Sequence, residues 1–101
     1  MKNNDLFKFA EEKYQKCLEI MTAKNHDYSY GDDALSNFKV VKQYDIPVEH
    51  GFITRLSDKF KRISNILKRK ATVVDETTED TILDMINYLM LLLAYLNDEE
   101  K

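Results

Sequence analysis

Along the first quarter of the chain, apolar residues return every three or four positions: Leu6, Phe7, Ala10, Tyr14, Cys17, Leu18 and Met21, with Lys8, Glu11, Glu12, Lys16 and Glu19 between them. That period predicts an amphipathic helix over residues 4–23, with Asn4 or Asp5 as its N-cap. Ala34, Leu35, Phe38 and Val41 predict a second, shorter helix that Asp32 or Asp33 can cap and that ends near Tyr44. Pro47 suits the first turn of a third helix, over residues 47–69, because its missing N–H costs little there. This helix turns Phe52, Ile53, Leu56, Phe60, Ile63 and Leu67 to one side, with Gly51 in its first turns at some cost in stability. The linker KATVVDETTED follows, in which Thr77 and Asp80 resemble a capping box and open a fourth helix over residues 77–96. That helix is apolar on nearly every face from Ile82 to Leu96, as expected of a helix central to the fold or to an oligomer. The pattern predicts an all-α protein: an antiparallel bundle of about four helices, with residues 1–101 as a single domain.

Composition supports this picture and narrows the partners. Of 101 residues, 44% are hydrophobic and 33% charged, with one proline and two glycines, as in a helix-rich globular chain. The formal net charge of −3 supplies no general attraction to nucleic acid or to an anionic membrane. Cys17 is the only cysteine, so no intrachain disulfide forms, which suggests a reducing compartment. The start, MKNNDLFKFAEEK, has no continuous apolar region of signal-peptide type, and the expected location is the cytoplasm. The apolar run of the fourth helix is shorter than the roughly 20 residues a bilayer requires and is interrupted by Asp84 and Asn87, so a membrane span is not expected.

Three places could carry chemistry. On the fourth helix, Asp80, Asp84 and Asn87 align as one polar stripe. A carboxylate on so apolar a helix needs a cation, and two readings are open for Asp84. Asp80 and Asp84 could hold Mg²⁺, which accepts a few carboxylate oxygens and keeps its other positions for water or phosphate. Alternatively, Asp84 forms a structural salt bridge to Arg55 or Arg62. On the third helix, Arg55, Asp58, Lys59 and Arg62 share a side nearly opposite the apolar stripe, with Asn65 and Arg69 beyond. Residues 55–70 hold seven Lys or Arg against one acid, which is either a solvated face or a surface for a nucleotide's phosphates or a nucleic-acid backbone. The third place is KNHDYSYGDDALSNF, residues 24–38. It is either a long helical connection or a ligand loop, in which Gly31 permits a sharp turn while Lys24, His26, Asp27, Tyr28 and Asn37 face a base and its sugar. No zinc-ligand spacing, phosphate-binding glycine loop or nucleophile elbow occurs.

Taken together, KNHDYSYGDDALSNF, RLSDKFKRISNILK and DETTEDTILDMINYLMLLLAYL resemble the small phage and bacterial family called nucleotide-modification-associated domain 1. That family looks related to the MazG-type all-α nucleoside triphosphate pyrophosphohydrolases. The resemblance covers residues 12–96. It implies a helical, commonly oligomeric protein that binds a nucleotide over acidic side chains and Mg²⁺. In the MazG-like enzymes an EExxE helix and an ExxD helix hold the metal that activates water against the α-phosphorus. By position, Asp84 matches the aspartate of the second motif, and Asp80 lies one residue before its usual acidic partner, where Thr81 stands. Asp58 stands in for the first motif, but singly, beside Lys59 and Arg62. This departure leaves two outcomes open.

The first is hydrolysis of a (deoxy)nucleoside triphosphate to monophosphate and pyrophosphate, with Asp58, Asp80 and Asp84 as metal-binding and catalytic residues. Arg55, Lys59 and Arg62 would then lie on the phosphates, and Asn87 with residues 24–38 on the rest of the nucleotide. The second is a non-catalytic protein, which sequesters a nucleotide or signalling nucleotide, attends DNA modification, or acts as a helical nucleic-acid or protein adaptor through residues 55–70. A homo-oligomer, dimer or larger, is expected in either case.

Overall fold

The computed structural model describes residues 1–28, 31–69 and 76–100, the side chains of residues 26–28, 76 and 77 excepted. The described residues form helix α1 (Asn3–Tyr28), a single-turn helix α2 (Ser36–Lys39), a 3-10 helix (Val40–Tyr44), α3 (Val48–Lys68) and α4 (Glu76–Glu99). No β-strand occurs among them, and the protein is an all-α bundle. Among the described residues no helix is long and apolar enough to cross a membrane.

Two boundaries differ from expectation, each for a local reason. Helix α1 continues past Ala23 to Tyr28, so His26, Asp27 and Tyr28 lie on a helix and not in a ligand loop. Nothing between Ala23 and Tyr28 breaks a helix, because the first glycine is Gly31, whose φ of 62° places it in the left-handed region expected of a turn. The second helix is shorter and tighter than expected. Asp33 Oδ1 accepts the Leu35 N–H at 3.0 Å, closing a side-chain turn, and only one α-turn follows before the chain narrows to 3-10. Val40 and Val41, β-branched, do little to extend an α-helix. The 3-10 helix stops at Asp45 in a left-handed conformation, with φ of 59°. The linker residues 71–75, and the Thr77 side chain proposed as a cap, lie outside the described residues.

Successive long helices alternate in direction. Phe52 of α3 packs against Tyr95 of α4 while Lys59 reaches Asp84, so these two run antiparallel. Along α1, Lys13 and Lys16 meet Glu79, Cys17 meets Leu83, and Lys24 meets Asp84, so α1 runs parallel to α4. Helix α4 packs against both α1 and α3. The main core is Leu35, Phe38, Val48, Phe52, Leu91 and Tyr95. Phe52 is fully buried and stacks on Phe38 at 4.6 Å between ring centroids. Burying such a side chain contributes about 2–3 kcal/mol.

Helix α3 is rotated from the orientation its strongest apolar stripe predicts. Val48 and Phe52 are buried, Leu56, Lys59, Ile63 and Ile66 are half-buried, and Ile53, Phe60 and Leu67 are exposed. The charged side that looked solvated therefore borders α4 at Lys59. In this orientation Phe52 stacks on Phe38 and Lys59 brings an ammonium group to Asp84.

Candidate functional site

Because α1 and α3 flank α4, a groove runs between them with α4 as its floor. At one end α2 fills it, seating Leu35 and Phe38 on Leu91 and Tyr95. Toward the N-terminal half of α4 the groove opens into a cleft of about 330 Å³ lined by Ile20, Lys24, Asp80 and Asp84. Lys24 of α1 donates to Asp84 Oδ1 at 3.3 Å, and the ammonium of Lys59 on α3 stands 3.3 Å from Oδ2. One carboxylate thus links all three long helices. Its side chain is 22% exposed and that of Lys59 only 17%, so Asp84 and Lys24 line the cleft while Lys59 is the sheltered member of the cluster.

A second hollow, of about 260 Å³, is lined by Arg62, Asn65, Ile66, Arg69 and Thr81. It belongs to the same end of the groove, since Arg62 is three residues beyond Lys59 and Thr81 follows Asp80 in sequence. Spacing of three to four residues along α3 places Lys59, Arg62, Asn65, Ile66 and Arg69 on adjoining positions.

Not every expected site residue is brought here. The expected salt bridge of Asp84 to Arg55 or Arg62 is replaced by the pair of lysines. Arg55 instead lays its guanidinium over Phe38, 4.6 Å from the ring centroid, and 5.8 Å from that of Tyr88. There it covers the edge of the core, a cation–π role away from the cleft. Asp58 is 59% exposed and pairs with Arg62 one turn on, at 3.5 Å, so it does not join Asp80 and Asp84. Asn87 is buried, and its amide donates to the Cys17 carbonyl at 3.0 Å, which makes it a tie between α4 and α1. Asn37 is half-buried on α2, the element that fills the other end of the groove. The side chains of His26, Asp27 and Tyr28 lie outside the described residues.

The donors as placed do not fit a resident metal ion. Among the described residues no group of three or more His, Cys, Asp or Glu side chains could hold one. Both oxygens of Asp84 already face ammonium groups, so a divalent cation would have to displace two lysines.

Nearby electrostatics are structural. Lys13 and Lys16 of α1 both pair with Glu79 of α4 and push its carboxyl down to about 2. Burial, and to a lesser degree the charge of Asp84, raises the Cys17 thiol, so this cysteine stays protonated and is a packing residue. Sequence reasoning singled out Lys24, Lys59, Asp80 and Asp84 separately. Pairing of Lys24 with Asp84, 60 residues away, had no signal in the sequence.

No family model matches the chain, no curated protein matches it, and no solved structure matches it.

Proposed function

We propose that this is a cytoplasmic nucleotide-binding protein, acting as a homo-oligomer, that takes the phosphates of a nucleotide at the open end of the groove. The observation that carries this reading is Asp84, which lines an open cleft with Lys24 and meets the sheltered Lys59 of a third helix on its other oxygen, beside the arginine-lined hollow. Lysine ammoniums and arginine guanidiniums are the side chains that recognise phosphate oxygens. In the free protein Asp84 occupies the two lysines. A phosphate group, richer in negative charge, competes for them, while Arg62 and Arg69 extend the cationic lining for a second phosphate. Clustering of ionisable groups in a cleft supports a binding site over a solvated face.

A second reading keeps the MazG-like reaction. Asp80 and Asp84 stand one turn apart on α4 and line the same cleft, and this shared lining is the only support for Mg²⁺-assisted hydrolysis to monophosphate and pyrophosphate. It requires Asp84 to exchange Lys24 and Lys59 for the metal. An adaptor role through residues 55–70 is less well supported, because Arg55, Lys59 and Arg62 are engaged with Phe38, Asp84 and Asp58.

The test is a thermal-shift series with nucleoside mono-, di- and triphosphates, with and without Mg²⁺, followed by a pyrophosphate-release assay on whatever binds. A ligand at a hundred times its Kd stabilises the folded state by about 2.7 kcal/mol. Stabilisation by triphosphates without added Mg²⁺, lost in the Lys24→Gln/Lys59→Gln double variant, is expected. Stabilisation and pyrophosphate release that both require Mg²⁺ would establish the second reading instead. Absence of any shift at millimolar nucleotide would end both.

A further inference from the structure

The side of the α1–α4 pair turned away from the cleft is apolar and uncovered. Tyr14, Leu18, Leu89, Met90 and Leu93 are each more than half exposed, the last by 60%. They surround two hollows, of about 500 and 310 Å³, that share Tyr14, Ile86 and Met90. No charged residue lines either hollow. That excludes a nucleic-acid backbone as the occupant, since phosphates require cations.

The dimensions of the whole chain indicate how much surface is missing its cover. A compact monomer of this mass exposes about 5,900 Å². This chain exposes 7745 Å², an excess of roughly 1,800 Å². Its radius of gyration is 15.7 Å, against about 13 Å for a compact chain of the same length. Obligate homodimers bury roughly 1,000–2,500 Å² per subunit, so the excess is of the size such an interface removes. An uncharged surface that carries both projecting side chains and hollows can pair with itself about a two-fold axis, needing no complementary charge on a different partner.

We propose that the occupant is a second copy of this chain, docked through the α1–α4 face centred on Tyr14, Ile86, Met90 and Leu93. The proposal rests on the self-association stated above and adds the surface that performs it. A second exposed stripe, Ile53, Phe60 and Leu67 on α3, lies on the flank opposite Arg55, Arg62 and Arg69 and serves as the internal control.

Sedimentation velocity on the full chain at micromolar concentration, with Leu93→Glu and Phe60→Glu variants alongside, tests this. Wild type should sediment at twice 11.9 kDa, Phe60→Glu likewise, and Leu93→Glu at the single-chain mass with its helical circular-dichroism signal retained. Should Leu93→Glu not fold, the wild type's melting temperature must rise with protein concentration, as it does for any folded dimer that dissociates on unfolding, and Phe60→Glu must do the same. A monomeric wild type overturns both the self-association and the surface. A wild-type dimer dissociated by Phe60→Glu, or one that Leu93→Glu leaves intact, overturns the surface alone.

Discussion

Replacing Asp84 by Asn separates the two readings of the cleft in a single variant. The change keeps the side chain's shape and removes the charge that holds Lys24 and Lys59, each 3.3 Å away. An exposed ion pair contributes roughly 0.2–1 kcal/mol, and breaking a buried one costs roughly 3–5 kcal/mol. Asp84 lies between these limits, with a side chain 22% exposed and two partners, one sheltered and one 44% exposed. Loss of two such pairs, with the two ammoniums left to repel each other, should cost about 1–2 kcal/mol. For a chain of this length that is a fall in Tm of roughly 5–15 °C. The loss should shrink in 1 M salt, where exposed charges are screened over about 3 Å.

Nucleotide affinity supplies the decisive sign. If the lysines take phosphate, removing their competitor should tighten binding, by about fivefold to tenfold for a gain near 1–1.4 kcal/mol. If Asp84 binds metal, the same variant should lose Mg²⁺-dependent binding. Calorimetric melting at low and high salt, with titration of the best nucleotide from the thermal-shift series, measures both quantities. An unchanged Tm would refute the linkage of three helices through Asp84, and weakened nucleotide binding in a folded variant would refute the phosphate reading.

Three further outcomes follow from the packing and charges. Phe52→Ala, at a fully buried position stacked on Phe38, should cost about 3–5 kcal/mol, a large part of a small domain's stability, read as the midpoint shift in urea unfolding. Glu79, held down to about 2 by Lys13 and Lys16, contributes stability that is fully present above its unfolded value near 4.5 and is lost as pH falls through about 2. Its carboxyl carbon should therefore titrate near pH 2 by NMR, and in the Lys13→Ala/Lys16→Ala variant it should move back toward 4.5. Gly51→Ala should stabilise α3 by about 0.5–1 kcal/mol in thermal melts, since an added Cβ meets nothing within 4 Å and alanine is the better helix former.

The helices themselves were legible in the sequence because their causes lie within a few residues. Apolar recurrence placed α1, α3 and α4, Pro47 marked the start of α3, and the polar stripe on α4 pointed to Asp80, Asp84 and Asn87 before any tertiary contact was known. Gly31 was legible as a turn for the same local reason. Which face of each helix turns inward was not. Helix α3 offers both an apolar flank, at Ile53, Phe60 and Leu67, and a basic one, at Arg55, Lys59 and Arg62. Periodicity favoured the first as the core. The fold instead presents the line through Phe52, Leu56, Lys59 and Ile63 to α4, where Phe52 stacks on Phe38 and Lys59 meets Asp84. Likewise the three stripe residues have three fates: Asn87 is buried against the Cys17 carbonyl, Asp84 is paired with two lysines, and Asp80 is exposed at the cleft. Helical spacing aligns side chains along one element. Their partners are set by which helices lie beside that element and how much of the groove between them is filled, and those depend on residues 25 to 70 positions away.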